Sequence, residues 1–240
     1  MTSTLVREEN SMNMAVEGAV ESLAPVHMFS HGSPMMLGEE HASADYWEEC
    51  GKQALANGIE HVVMMGGHWS TSIPSAVLIS ANPQPVKSPM PFVHSTKYSN
   101  YELRPDLDFL PTITAHLEAA GIRALADPKF DWIHDTYLVL IRHEELLPLH
   151  EAKSNPRKVR STKGSGGPLL RKKITSLMKH PLYRDAHGTD DHFMANLFVA
   201  GLCGGKGDEN MMSEMGAEDW ELTNICNSQY TLGSWSGYRE

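Results

Sequence analysis

Short apolar runs of strand length, each stopped by glycine or proline, recur along this chain. Val26-His27-Met28-Phe29 ends at Ser30-His31-Gly32-Ser33-Pro34, and Ile59-Glu60-His61-Val62-Val63-Met64-Met65 ends at Gly66-Gly67. A third run, Ala76-Val77-Leu78-Ile79, lies between prolines, and Gln229-Tyr230-Thr231-Leu232 is a last strand candidate. A strand with no polar face needs cover on both sides. Between the runs lie segments with helical spacing of apolar residues and recognisable stops. These are Tyr46–Ala56 before Asn57-Gly58, Asp106–Ala120 before Gly121, Trp132–Leu147, Leu169–Met178, and His192–Leu202 with Thr189 or Asp190 as its cap. The alternation predicts an α/β domain with a central, mostly parallel sheet flanked by helices. In such sheets ligands gather beyond the carboxyl ends of the strands.

A chain of 240 residues suits one such domain. Residues 1–24 read as a flexible leader and 25–240 as the domain, interrupted at 151–168 by a basic Gly/Ser/Pro-rich stretch. Taken to residue 173, that stretch has eight basic residues against one acidic, a formal +7, which leaves -17 for the rest of a chain at -10. A solvated loop is the expectation there, with a docking surface for something acidic as the alternative. The overall negative charge argues against nucleic-acid binding, which rests on Lys and Arg neutralising phosphates. No run approaches the roughly 20 apolar residues of a membrane span. Three cysteines, Cys50, Cys203 and Cys226, are too few and too scattered for a disulfide framework, so a cytoplasmic location is expected.

Thirteen histidines stand out against this background. His27 and His61 lie inside apolar runs and read as packed strand residues; His41, His116, His143, His150 and His180 read as helix-face or surface residues. His94 sits in the proline-rich stretch Asn82–Tyr98, read as an extended loop, and His187 reads as a loop residue near His192. Four differ by context. His31 and His68 each follow a strand at a glycine-containing turn, His134 precedes Asp135, which is placed to cap the helix starting there by accepting its backbone N–H groups, and His192 opens a helix after Asp190-Asp191. Three imidazoles with an open fourth position form a catalytic rather than a closed structural metal arrangement. HExxH, P-loop, GxGxxG and GxSxG motifs do not occur, so the commonest metalloprotease, nucleotide-binding and serine-hydrolase readings fall away.

Four strings then occur in one order: Phe29-Ser30-His31-Gly32-Ser33-Pro34-Met35, Gly67-His68-Trp69, Asp131-Trp132-Ile133-His134-Asp135, and Asp190-Asp191-His192-Phe193 before an apolar helix. Together they resemble the class III extradiol ring-cleavage dioxygenases, in the branch typified by 4,5-DOPA dioxygenase and related to the catalytic subunit of protocatechuate 4,5-dioxygenase. Leu232-Gly233-Ser234 is similar to that family's closing strand. The resemblance covers about residues 25–142 and 174–236. It implies that His31, His68 and His192 are metal ligands and that His134 is a catalytic residue in the pocket, able to contact substrate or oxygen. It implies Fe(II) as cofactor, with Zn(II) as an alternative bound metal, and a small catecholic substrate and O2 as partners. A non-haem iron with few protein ligands keeps positions open for both reactants. No nucleic-acid or membrane partner follows from it, and the oligomeric state is not implied.

The chain departs from the family pattern between Leu138–Arg142 and Ile174. There the family carries a strand, a helix and another strand that ends in a histidine followed by Asn-Leu; here only the basic stretch occupies the interval, and no His-Asn-Leu occurs. Internal strands are therefore expected to be missing. Three readings follow: an extradiol dioxygenase impaired by loss of one active-site histidine, an inactive relative that binds a metal or a partner, and a zinc-dependent hydrolase on a similar scaffold.

Overall fold

A computed structural model describes residues 3–4, 24–144, 160–163, 166–205 and 208–235. It is a mixed α/β fold, in which the sheets differ from those expected. The larger has six strands: β1 (Ser3–Thr4), β2 (Val26–Met28), β3 (Val63–Met64), β6 (Arg160–Lys163), β7 (Met212–Glu221) and β8 (Ile225–Leu232), in the order β3-β1-β2-β8-β7-β6. Every neighbouring pair in it is antiparallel. Parallel pairing is confined to β4 (Ala76–Ser80) and β5 (Arg123–Asp127), a separate two-stranded sheet. The expected mostly parallel central sheet is thus corrected. The apolar character of Val26–Phe29 comes from burial on both faces, which does not depend on strand direction.

One face of the sheet is covered by α1 (Ala42–Ala56) and α3 (His134–Glu144), the other by α6 (Asp191–Leu202). Phe29, Trp47, Tyr137, Leu138 and Ile141 form the core on the first side; Val26, Val199, Cys203 and Leu232 form the second. The remaining α-helices among the described residues are α2 (Leu110–Ala119), α4 (Pro168–Leu177) and the one-turn α5 (Tyr183–Ala186). No helix among the described residues is long and apolar enough to cross a membrane.

Several elements differ from their sequence expectation for local reasons. Only Val63–Met64 of the run Ile59–Met65 is strand, because β1 is its ladder partner and no described residue pairs with 59–62. Helix α2 begins at Leu110 rather than Asp106, since the Asp106 carboxylate accepts the Phe109 N–H at 3.0 Å and holds a turn there. Within the expected leader, Ser3–Thr4 pair with both β2 and β3 and Ala24 is buried; residues 5–23 lie outside the described residues. The basic stretch is likewise not all loop. Arg160–Lys163 pair with β7, whose outer edge offers unpaired backbone groups to any extended segment beside it. Residues 145–159 and 164–165 lie outside the described residues.

The β7–β8 hairpin does most to fix the turn after β2. Gln229, fully buried on β8, uses its whole amide: Oε1 accepts from Ser30 N and Trp47 Nε1, both at 2.9 Å, and Nε2 donates to Ser30 O and Ser43 Oγ, both at 3.0 Å. Asp219 on β7 receives the first N–H groups of α1, from Ala42 at 3.3 Å and Ser43 at 2.6 Å, where a carboxylate is favoured by the helix dipole. Replacing Gln229 by Leu keeps the volume but strands the Ser30 and Trp47 donors. Each orphaned buried group costs about 1–3 kcal/mol, so Gln229→Leu should lower the urea-unfolding free energy by roughly 2–5 kcal/mol. An unchanged midpoint and slope would contradict this packing.

Candidate metal centre

The turn Ser30–Pro34 carries the first histidine and is held from below by the hairpin. Ser30 Oγ donates to Asn227 Oδ1 at 3.0 Å, and Asn227 Nδ2 donates to Glu221 Oε2 at 2.7 Å. Glu221 also accepts from Ser33 N and Ser33 Oγ, each at 2.8 Å. Gly32 is required at the bend: its φ is +61°, and a Cβ there would lie 2.4 Å from Glu221 Oε2 and 2.9 Å from Asn227 Nδ2. His31 Nδ1 lies 2.7 Å from the Gly32 carbonyl oxygen. A carbonyl only accepts, so Nδ1 carries the hydrogen and Nε2 presents its lone pair. That Nε2 is buried and has no hydrogen-bond partner among the described residues.

His68 follows β3 and the Gly66-Gly67 pair. Its backbone N–H donates to Asp135 Oδ2 at 2.7 Å, and Thr136 Oγ1 donates to Asp135 Oδ1 at 3.0 Å. Asp135 is fully buried. The sequence reading makes it a cap of its own helix; it instead ties the start of α3 to the His68 turn. Gly66 permits this approach, for a Cβ there would sit 2.8 Å from Asp135 Oδ2. His134 is the first residue of α3 and His192 the second of α6, so two helix starts aim at the same place as two strand ends.

All four come together. Ring centroids of His31 lie 5.1 Å from His68, 5.2 Å from His134 and 5.8 Å from His192. His68 lies 5.1 Å from His134 and 4.4 Å from His192. Ligand atoms of His31, His68 and His134 fall within 4.8 Å of one another, as do those of His68, Asp191 and His192. The spacing thus groups His31 and His68 with His134, and joins His192 to His68 and Asp191; the set His31, His68 and His192 read as ligands is not one of these groups. Asp191 is the member that sequence reasoning missed; its position beside His192 is the signal that marks it.

The other histidines whose side chains are described are engaged elsewhere. His27 Nδ1 faces Thr231 Oγ1 at 2.7 Å, His61 pairs with Asp106 and stacks on Phe109, and His41 caps α1. His187 packs against Tyr183 and Phe193, each 5.1 Å away between ring centroids. His150 lies outside the described residues.

Burial, reinforced by the neighbouring imidazoles, pushes the His31 pKa well below its ordinary value. Burial and then His68 lower those of His134 and His192. Hydrogen bonding from the Thr189 hydroxyl is the main reason the Asp191 carboxyl is held down at about 2, so it is ionised beside His192. Neutral imidazoles and an ionised carboxylate are the states in which these groups bind a cation. The buried, unpartnered Nε2 of His31 and surroundings of imidazoles with one carboxylate fit a borderline divalent cation such as Zn(II) or Fe(II).

Comparison of the sequence with protein-family models finds no match, and comparison with curated proteins finds none either.

The depressed histidines set the pH response of the metal-free protein. The unfolded chain binds protons near pH 6.5, while His31, His134 and His192 in the folded chain bind them only at lower pH. Stability is therefore full above about pH 6.5 and falls as the pH drops below it. Thermal unfolding with chelator present should give a Tm that declines from pH 7.5 to 5.5, and less steeply in His31→Gln. Equal slopes for the two proteins would contradict the buried, neutral state of His31.

Proposed function

We propose that the chain is a metal-dependent extradiol dioxygenase that opens the ring of small catecholic substrates with O2. The observation that carries this reading is the convergence of His31, His68, His134 and His192 from four separate segments, with the His31 Nε2 lone pair buried and unpartnered. The order and context of the four strings support the same reading. His31, His68 and His192 would hold the metal, Fe(II) for the ring-opening reaction. When bound, Fe(II) supplies the electron path between diol and dioxygen that no side chain offers.

The residues of the chain itself do the positioning and proton work. The Gly32 carbonyl fixes the His31 ring, Asp135 fixes the His68 backbone, and the Glu221–Asn227–Ser30 chain keeps the turn after β2 in place. His134, half-buried and neutral, takes the proton of a substrate hydroxyl onto a free ring nitrogen and returns it later in the cycle. With no second histidine of this kind recognisable, turnover should be slow. In this reading the β4–β5 pair is what remains of a larger parallel sheet, shortened between Leu138–Arg142 and Ile174. A cytoplasmic location belongs to the same proposal.

Anaerobic reconstitution with Fe(II), followed by oxygen uptake with a panel of catechols, tests it. Uptake should appear with iron and be absent with zinc, which has no redox chemistry. His134→Gln should keep the iron and lose about 10²–10⁴-fold in rate. Hydrolysis of esters or amides by the zinc form, without oxygen uptake by the iron form, would favour a zinc hydrolase instead. Metal binding with neither activity would leave an inactive relative.

A further inference from the structure

We propose that Asp191 is a positioning residue of the centre, one carboxylate that orients two of its imidazoles, His68 and His192, from behind. This rests on the metal-centre reading above. The two oxygens of Asp191 face different rings: Oδ2 lies 3.4 Å from His68 Nδ1, and Oδ1 lies 3.5 Å from His192 Nδ1. The first is a long hydrogen bond; the second, beyond the roughly 2.7–3.2 Å of an ordinary N–H···O bond, is a close carboxylate–imidazole contact rather than a hydrogen bond, and such contacts are often long before a site is occupied.

The same edge is occupied in His31, whose Nδ1 faces the Gly32 carbonyl oxygen. Three imidazoles from three segments thus have an oxygen acceptor on their Nδ1 side. An imidazole that donates from Nδ1 offers its lone pair at Nε2, and such partners fix both tautomer and ring plane in metal-binding histidines. No acceptor of this kind holds a ring nitrogen of His134 among the described residues. The pattern sorts four closely spaced histidines into three held from behind and one left free, a distinction that ring separations alone do not make.

Asp191 is itself fixed. The Thr189 hydroxyl donates to its Oδ1, and the neighbouring Asp190 is clamped by Arg184 Nη1 and Tyr183 OH, at 2.8 and 2.9 Å. The loop before α6 is therefore braced by one aspartate and turned toward the cluster by the next. That division supplies the control: Asp190→Asn loosens the loop without touching either imidazole.

The test uses the full chain, Co(II) as the probe, and the variants Asp191→Ala, Asp191→Asn and Asp190→Asn. Losing such a partner typically weakens metal affinity about 10–100-fold. Asp191→Ala should show that loss in chelator competition, and Asp191→Asn a smaller one, because its amide oxygen still accepts from one ring. At saturating Co(II) the visible spectrum should keep the wild-type band positions, and Asp190→Asn should bind Co(II) as wild type does. Wild-type affinity in Asp191→Ala would overturn the proposal. So would a changed spectrum at saturation, which would make Asp191 a direct ligand, or an equal loss in Asp190→Asn, which would reduce the effect to loop integrity. If the wild-type chain binds no Co(II) at all, the metal-centre reading itself fails, and the role of Asp191 with it.

Discussion

Four imidazoles, five of whose six pairs have ring centroids 4.4–5.8 Å apart, cannot all hold protons. Two unit charges about 5 Å apart repel by roughly 3 kcal/mol at an effective dielectric of 20, and burial of His31 adds to that. The cluster must stay mostly neutral, and neutrality leaves lone pairs turned inward. At His31 such a lone pair is buried with no hydrogen-bond partner among the described residues, a state that costs about 1–3 kcal/mol. A divalent cation removes this cost and takes the lone pairs as ligands. The arrangement is thus poorly suited to a packing role and well suited to holding a cation.

Keeping such a cluster together takes rigid support from distant parts of the chain. The hairpin β7–β8 supplies it through side chains on one face: Gln229 to the backbone of Ser30, Asn227 to the Ser30 hydroxyl, and Glu221 to Ser33. Asp219, on the same face, receives the start of α1. On the other flank, buried Asp135 links the start of α3 to the turn that carries His68. Each support is a hydrogen-bonded polar group rather than an apolar contact, which fixes direction as well as distance.

What could be read from the sequence followed from local chemistry. His31 and His68 stand out because glycine turns end apolar runs there, and His134 and His192 because acidic residues and apolar periodicity mark helix starts. The helices α1, α3, α4 and α6 were legible for the same reason. Strand β7 was not. Met212–Glu221 carries Glu214, Glu218, Asp219 and Glu221 beside Gly216, a poor strand composition. Two of those acidic residues serve partners nearly two hundred positions away, which no local window contains. Strand direction was misread because an apolar run reports two-sided cover; β2 has it between α1 and α6 while pairing antiparallel with β1 and β8. The role of Asp135 was misread because a cap and a long-range acceptor look alike in sequence.

X-ray absorption at the metal edge of the Zn(II)-loaded or Fe(II)-loaded chain addresses the central claim most directly. The expected result is a nearest shell containing three imidazole nitrogens at about 2.0–2.2 Å, with the outer-shell scattering that imidazole rings produce, lost in part in His31→Ala. A shell of oxygen donors without imidazole scattering, or one unchanged by His31→Ala, would show that the four histidines do not form a metal centre.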